Sequence, residues 1–299
     1  MLTNGVGSID ASSASPDHAV AAEPAQAERI EVVRGASLLR YGSSGSGGIV
    51  NVIDGRIPTE VPEDGIDGAL RVGGSTVDNG FEAAGSVDIG AGNLVLHLDG
   101  TYRDSGNYDI PGFAESALFR ELEEAEEGGE EEEGEEEAFG TLENSQTETS
   151  AFTAGASYVG ESGFIGIAVH KFDSDYGIPG GHEEGEEEGE EGEEEEEEMV
   201  TIDLDQIRVD LNAALELDGF IEKIQFFGGY ADYEHTEFEA PGEVGTVFAN
   251  EGFEGRLEAI QAENDGWRAA YGVQIRSRDF SAIGEEAFVP PTTTDQFGF

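Results

Sequence analysis

The sequence predicts an all-β fold, a transmembrane antiparallel β-barrel of which this chain supplies about nine or ten strands. Apolar and polar residues alternate with period two from about residue 66 onward. The alternating segments run well beyond the ~5–6 residues of a usual soluble strand. Short turns also alternate with long polar loops, as on the two sides of an outer-membrane barrel. A half-buried soluble sheet gives the same alternation, so the strand lengths and connections favour the barrel.

The alternation is clearest in three segments, Leu94–Tyr102, Gln206–Leu217 and Trp267–Arg278. In each segment one set of alternate side chains is apolar and the other set is charged or polar. Further strands are predicted near 219–238 and 244–264. The apolar set is expected to face lipid and the polar set to face the barrel interior.

Composition excludes several classes of protein. With 14 Lys and Arg against 67 Asp and Glu, the net charge is −53, which argues against a nucleic-acid partner because phosphate binding needs basic patches. The chain has no cysteine, so it forms neither disulfides nor thiolate metal sites. No run of 18 apolar residues is present, which excludes a transmembrane helix.

The chain divides at a Pro- and acid-rich linker, residues 58–65. Residues 66–299 carry the strand pattern, and residues 1–57 precede it. Within the strand region, two long polar segments, 105–149 and 176–199, are predicted to be external loops. The Asp218-Gly219 and Asp265-Gly266 pairs mark short turns between strands.

The segment Ile30–Ile53 has the sequence IEVVRGASLLRYGSSGSGGIVNVI. A β-rich run reaches an Arg-Gly corner, passes a Gly/Ser-rich turn and leaves as a second apolar strand. With Arg34-Gly35, Tyr41-Gly42, Gly47-Gly48 and Asn51–Ile53 in place, it resembles the end of the plug domain of TonB-dependent outer-membrane receptors. The chain lacks the proline that usually follows the Arg-Gly pair.

The resemblance implies a receptor in a Gram-negative outer membrane that transports its ligand without covalent chemistry, so it is not an enzyme. Residues 1–57 would be the C-terminal part of the plug, and the strands would be part of a barrel of about 22. The implied partners are the TonB-ExbB-ExbD complex, a metal ion and outer-membrane lipid. Family plugs carry more chain before this segment, including the TonB-contacting motif, so we expect an internal fragment.

Two segments, 115–137 and 183–198, are composed mainly of glutamate. Repulsion between neighbouring carboxylates and the lack of apolar side chains predict that both are disordered. They are either solvated acidic loops or surfaces that concentrate divalent cations.

The segments Tyr176–His182, Gly228–Glu239 and Glu243–Glu258 resemble the zinc-uptake subgroup of these receptors, whose external loops are rich in His and acidic residues. Zinc would then be the transported ion, and no tightly bound cofactor is expected. The loops here contain glutamate almost alone, with His182 at their border. Because imidazole is the better zinc ligand, loop capture is expected to be weaker than in His-rich relatives.

The candidate metal ligands are few because the chain has only five histidines. Asp17 and His18 are adjacent in the plug, where the zinc receptors use an Asp-His pair at the metal. Glu234 and His235 are the candidates from the barrel, although a regular strand points them to opposite faces. His182 is the candidate from a loop. The mid-strand residues His97 and His170 are expected to be hydrogen-bonded structural residues.

Three alternatives stay open at this point. A TonB-dependent receptor for an iron chelate, either a siderophore or haem, has the same plug signature. An acidic calcium-binding surface protein explains the glutamate runs but not that signature, and no EF-hand spacing is present. An outer-membrane lipase or protease needs a nucleophile and base in one motif, which the sequence lacks.

Overall fold

The computed structural model describes residues 1–15, 17–35, 41, 47–118, 120, 139–179, 199–284, 287 and 289–299. Most of both glutamate-rich segments lies outside these residues, so the predicted disorder of those runs stays a prediction. No helix in the described ranges is long and apolar enough to cross a membrane. The described secondary structure is mostly β, with a 3-10 turn at Pro24–Gln26.

Sixteen strands are formed by the described residues, and they build three sheets. In chain order they are β1 (Leu2–Thr3), β2 (Val6–Gly7), β3 (Arg29–Val33), β4 (Ile49–Ile53), β5 (Ile66–Gly74), β6 (Phe81–Ala91), β7 (Leu94–Ser105), β8 (Tyr108–Phe113), β9 (Phe139–Leu142), β10 (Thr147–Gly160), β11 (Gly163–Gly177), β12 (Thr201–Glu216), β13 (Ile221–Ala240), β14 (Glu243–Gln261), β15 (Ala270–Gly284) and β16 (Thr292–Gly298).

The largest sheet has ten strands in the order β16-β15-β14-β13-β12-β11-β10-β7-β6-β5. Every neighbouring pair is antiparallel. The predicted all-β class and the count of about nine or ten strands are therefore confirmed. The short hairpin β8–β9 lies within the segment 105–149, which the sequence had suggested was a loop throughout.

The strand predicted over Trp267–Arg278 starts later than expected. Asp265 and Gly266 have positive φ angles of 52° and 80°, and Asn264 forms a bridge with Trp267 across them. Two consecutive residues with positive φ form a tight turn that matches the twist of a hairpin. The chain therefore turns through 265–266, and β15 begins at Ala270.

The ten-stranded sheet exposes its apolar face and covers its polar face. On β12, Ile207, Leu211 and Leu215 are 45%, 37% and 48% exposed, whereas the alternate residues Gln206, Arg208 and Asp210 are 2–3% exposed. A half-buried soluble sheet would bury the apolar set instead. The exposed apolar face is the arrangement that lipid requires of a barrel wall.

Residues 1–57 are here named the plug segment, and their described part lies against the polar face of the sheet. They form a four-stranded sheet in the order β2-β1-β4-β3, in which β1 and β4 are parallel. The Gln206 side chain donates to the Ile9 carbonyl at 2.7 Å, and Arg208 donates to the Gly7 carbonyl at 3.1 Å. The buried polar side chains of the ten-stranded sheet, here called the wall, thus obtain hydrogen-bond partners from the backbone of the plug segment.

Glycines in the wall allow the plug segment to approach closely. A Cβ atom on Gly155 would overlap the Arg56 carbonyl oxygen, and one on Gly229 would lie 2.9 Å from Val6 Cγ1. Both glycines lie on the inner face of their strands, so any larger side chain there would push the plug segment away.

A buried ion cluster fixes the end of the plug segment to β12. Arg56 donates to Asp54 within the plug segment and to Asp210 of the wall, the latter at 2.9 Å. Arg208 donates to both oxygens of Asp210 at 2.9 and 3.0 Å. Burial alone would raise the pKa of the Asp54 carboxyl, but the positive charge of Arg56 outweighs it and holds that pKa below its usual value.

Candidate metal site

Three metal-ligating side chains meet where the plug segment touches β13. His18 comes from the loop between β2 and β3, and His235 and Glu237 come from β13. The side chains of both histidines are fully buried, and that of Glu237 is 7% exposed. Among the described residues, this is the one group of three or more His, Asp and Glu side chains whose candidate ligand atoms converge, within 4.8 Å of one another.

The period of β13, which pairs in regular register with β12 through this stretch, explains the two candidate ligands from the wall. His235 pairs with Leu204 on β12 and with Phe248 on β14, so the strand is hydrogen-bonded on both sides at this point. Alternate residues of a strand share one face, which places His235 and Glu237 together on the inner face. Tyr233 is buried on the same face.

The carboxylate of Glu237 is the centre of the group. Its Oε1 lies 2.7 Å from Nε2 of His18 and 3.4 Å from Nε2 of His235. Two zinc bonds of about 2.05 Å at a tetrahedral angle would hold their ligand atoms about 3.4 Å apart. His235 and Glu237 are therefore already at the separation that zinc requires, and His18 would have to move away from Glu237 by a fraction of an ångström.

The Nδ1 atom of each imidazole ring is hydrogen-bonded on the side away from Glu237. His18 Nδ1 lies 3.1 Å from the Ala11 carbonyl, and His235 Nδ1 lies 2.7 Å from the Tyr233 hydroxyl. Phe248 stacks on His235 with ring centroids 4.6 Å apart and meets the edge of His18 at 4.7 Å. A metal-ligating histidine ordinarily has such a partner on its second nitrogen, because that partner fixes the ring.

The His18 ring is poised to exchange a proton for a metal ion. Burial on its own would lower the pKa of His18, but the hydrogen bond to Glu237, the Ala11 carbonyl and the charge of Glu237 together raise it above its ordinary value. The exposed carboxylate of Asp17 contributes to the same rise. A metal cation in this position would take over the role of the proton as the positive partner of Glu237.

The structure brings together some of the residues that the sequence suggested and separates others. His18 and His235 meet. Glu234 is exposed on the opposite face of β13, so the structure contradicts its assignment as a ligand beside His235. Asp17 is exposed and accepts a hydrogen bond from the Ser15 hydroxyl, so it lies next to the group without joining it. His182 lies outside the described residues.

Glu237 is a candidate ligand that the sequence reasoning did not select. It lies two residues after His235, and in a regular strand this spacing places both on one face. The same rule that separates Glu234 from His235 would have identified it.

The two mid-strand histidines have other partners. His97 bonds to Asp88 and Asp99 through its two nitrogens, each at 2.8 Å. His170 Nδ1 lies 2.9 Å from the Thr153 hydroxyl. Both rings are buried and hydrogen-bonded within the wall.

Comparisons with known proteins agree with the architecture. No family model matches the chain. An alignment of 58 residues is 43% identical to the ferric enterobactin receptor PirA of Pseudomonas aeruginosa, covering 16% of this chain and 8% of that protein. Among solved structures, the copper transporter OprC has a TM-score of 0.68 at 15% identity and covers 98% of this chain and 41% of its own.

Two further solved structures share the fold. The FrpB iron transporter from Neisseria meningitidis has a TM-score of 0.62 at 14% identity, covering 87% of this chain and 38% of its own. The alcaligin outer-membrane receptor FauA from Bordetella pertussis has a TM-score of 0.59 at 12% identity, covering 92% and 46%. The chain thus spans less than half the length of these proteins.

The chain shares the fold of these solved structures. Its long-stranded antiparallel sheet with an exposed apolar face matches their architecture. This is also the architecture implied by the sequence resemblance to TonB-dependent receptors.

Proposed function

We propose that the protein is a TonB-dependent receptor that takes up a divalent transition-metal ion, namely zinc, across the outer membrane. Residues 1–57 would act as the plug, 58–65 as the linker and 66–299 as the barrel wall. The supporting observation is the convergence of His18 and His235 on Glu237. Two imidazoles and one carboxylate are the donor set of a zinc site that keeps a fourth position open for water.

The enclosure of the group favours a bare ion over a chelate. The atoms of Glu237, His18 and His235 are within or near hydrogen-bond distance, and their side chains are almost completely covered. A siderophore or haem needs a cavity of several hundred cubic ångströms, whereas a metal ion needs only the space between three ligand atoms.

The donor types favour zinc among the metals. The chain has no cysteine and two methionines, so the soft sulfur ligands preferred by Cu(I) are scarce. Nitrogen donors distinguish the site from the all-oxygen sites of calcium and magnesium. Cu(II) would bind the same donors more tightly than zinc, so discrimination between these two depends on their availability.

The glutamate-rich segments fit this function as a capture device. Dense carboxylates raise the local concentration of divalent cations without building a selective site. Energy for plug movement would come from the TonB-ExbB-ExbD complex, and the apolar face would contact outer-membrane lipid.

The test uses two neighbouring glutamates on β13. Glu237→Gln should weaken zinc binding strongly, because it removes the anionic oxygen shared by both histidines. Glu234→Gln is the matched control, since it makes the same chemical change on the opposite face of the same strand. Zinc affinity would be measured by calorimetry on the purified protein, and uptake with radioactive zinc in cells.

Two further variants separate the site from the acidic segments. The double variant Asp17→Ala with His18→Ala should lower zinc affinity more than deletion of 183–198, because the plug ligand is held in place before binding. The deletion should instead slow capture in a salt-dependent manner. Unchanged zinc affinity in both Glu237→Gln and the double variant would show that the metal site is elsewhere.

Uptake of an iron chelate is the second candidate. The observation that favours it is the 58-residue match to the ferric enterobactin receptor of Pseudomonas aeruginosa. If cells take up a ferric siderophore through this protein and Glu237→Gln leaves that uptake intact, the chelate reading replaces the zinc reading.

A further inference from the structure

We infer that Tyr233 is a positioning residue that directs Nε2 of His235 toward the metal. The inference rests on the proposed function, since it concerns how the same site is prepared. Tyr233 does not touch the ion position; it acts through the ring of His235.

Tyr233 is held rigidly beside that ring. It has no exposed surface, and its hydroxyl lies 2.7 Å from His235 Nδ1. The two rings are 5.6 Å apart at an interplanar angle of 87°. The residues lie two positions apart on the inner face of β13, so the strand itself sets their spacing.

His235 Nε2 is the reactive end of this arrangement. It is buried without a hydrogen-bond partner, 3.4 Å from Glu237 Oε1. A buried polar atom without a partner is costly, and a cation between it and the carboxylate would satisfy both. For this, Nε2 must carry a lone pair, which in a neutral imidazole requires the proton on Nδ1.

The Tyr233 hydroxyl can accept that proton's hydrogen bond. A hydroxyl both donates and accepts, so it holds His235 in either tautomer and permits the change from one to the other when a metal arrives. The Ala11 carbonyl opposite His18 only accepts. His18 is therefore expected to carry its proton on Nδ1, whereas His235 can carry its proton on either ring nitrogen.

The test compares two tyrosines of β13. Tyr233→Phe removes the hydroxyl and leaves Nδ1 buried without a partner, so zinc affinity should fall about 10- to 100-fold, as for other residues that orient a metal ligand. Tyr230→Phe is the matched control, because Tyr230 is on the outer face and its hydroxyl bonds Glu251 at 2.8 Å. The control should bind zinc as the unaltered protein does.

A second measurement keeps the inference testable if Tyr233→Phe fails to fold. In the unaltered protein, nitrogen NMR of labelled histidine should show zinc on Nε2 of His235 and a proton on Nδ1. Zinc on Nδ1, or an affinity of Tyr233→Phe equal to that of Tyr230→Phe, would overturn the role of Tyr233 while leaving the metal site intact. If the unaltered protein binds no zinc, the proposed function fails and this inference fails with it.

Discussion

Replacing Arg56 by leucine should loosen the plug segment from the barrel wall. The guanidinium is buried between Asp54 and Asp210, and the side chains of all three residues are at most 5% exposed. Leucine would fill part of the volume but leave two carboxylates in a covered site with less compensating charge. Removing one partner of a buried ion pair costs about 3–5 kcal/mol, because the remaining charge stays desolvated.

The structure places the cost of Arg56→Leu near the lower end of that range. Asp210 keeps two hydrogen bonds from Arg208. Asp54 keeps one from the Asn4 side-chain amide at 2.8 Å and one from the backbone N–H of residue 56 at 3.2 Å. Neither carboxylate is therefore left completely unpaired. A loss of about 3 kcal/mol corresponds to roughly a 150-fold rise in the population of the undocked plug segment.

Hydrogen exchange of the Ala19 amide would measure this population, since this amide donates to the Tyr176 hydroxyl of β11 at 2.8 Å and loses that partner when the plug segment opens. Arg29→Leu is the control, because Arg29 is 65% exposed in its ion pair with Glu31 and surface pairs contribute about 0–1 kcal/mol. Arg56→Lys keeps the charge and should lie between the two leucine variants. Equal exchange rates in Arg56→Leu and Arg29→Leu would refute the argument that the buried cluster anchors the plug segment.

Two further predictions concern the metal site and the contact between the plug segment and the wall. The pKa of His18 is raised, so the protonated ring forms an ion pair with Glu237 that stabilises the docked, metal-free plug segment. This stabilisation is fully present below the ordinary histidine pKa of about 6.5 and is lost as the pH rises through the raised pKa. Zinc affinity should instead fall as the pH is lowered, by up to about tenfold per pH unit, because the returning proton competes with zinc for His18. Calorimetry at several pH values would measure this dependence, and an affinity independent of pH would contradict the role of His18. Gly155→Ala should increase proteolysis of the plug segment, because its Cβ would overlap the Arg56 carbonyl oxygen, whereas Gly219→Ala, with no heavy atom within 4 Å, should leave proteolysis unchanged.

The fold was predictable because a barrel wall follows the simplest sequence rule. Each strand has one apolar face and one polar face, and alternate residues point to opposite faces. The period-two pattern of β12 therefore predicts directly which residues lie on each face. The strand ends were less predictable, since they depend on local turn geometry. The left-handed conformations of Asp265 and Gly266, for example, move the start of β15 to Ala270.

The candidate site was predictable only in part because it joins two separate stretches of chain. The sequence pointed to His18 from the plug and His235 from the wall, but no local pattern states that these residues meet. Their contact depends on how the plug segment docks, which is set by distant features such as Arg56 and Gly155. The choice between Glu234 and Glu237, by contrast, could have been made from the sequence, because alternate residues of a strand share one face.

The division of ligands between plug and wall gives the proposed site a direct connection to transport. The wall supplies His235 and Glu237, and the plug segment supplies His18. An ion bound by all three would hold the plug loop against β13 and would lose one ligand whenever that loop moved away. Two remaining ligands bind a metal ion more weakly than three, so plug movement itself would lower the affinity and release the ion. In this arrangement the proposed receptor would need no separate release step, because a movement of the plug segment that opened a path would also remove His18.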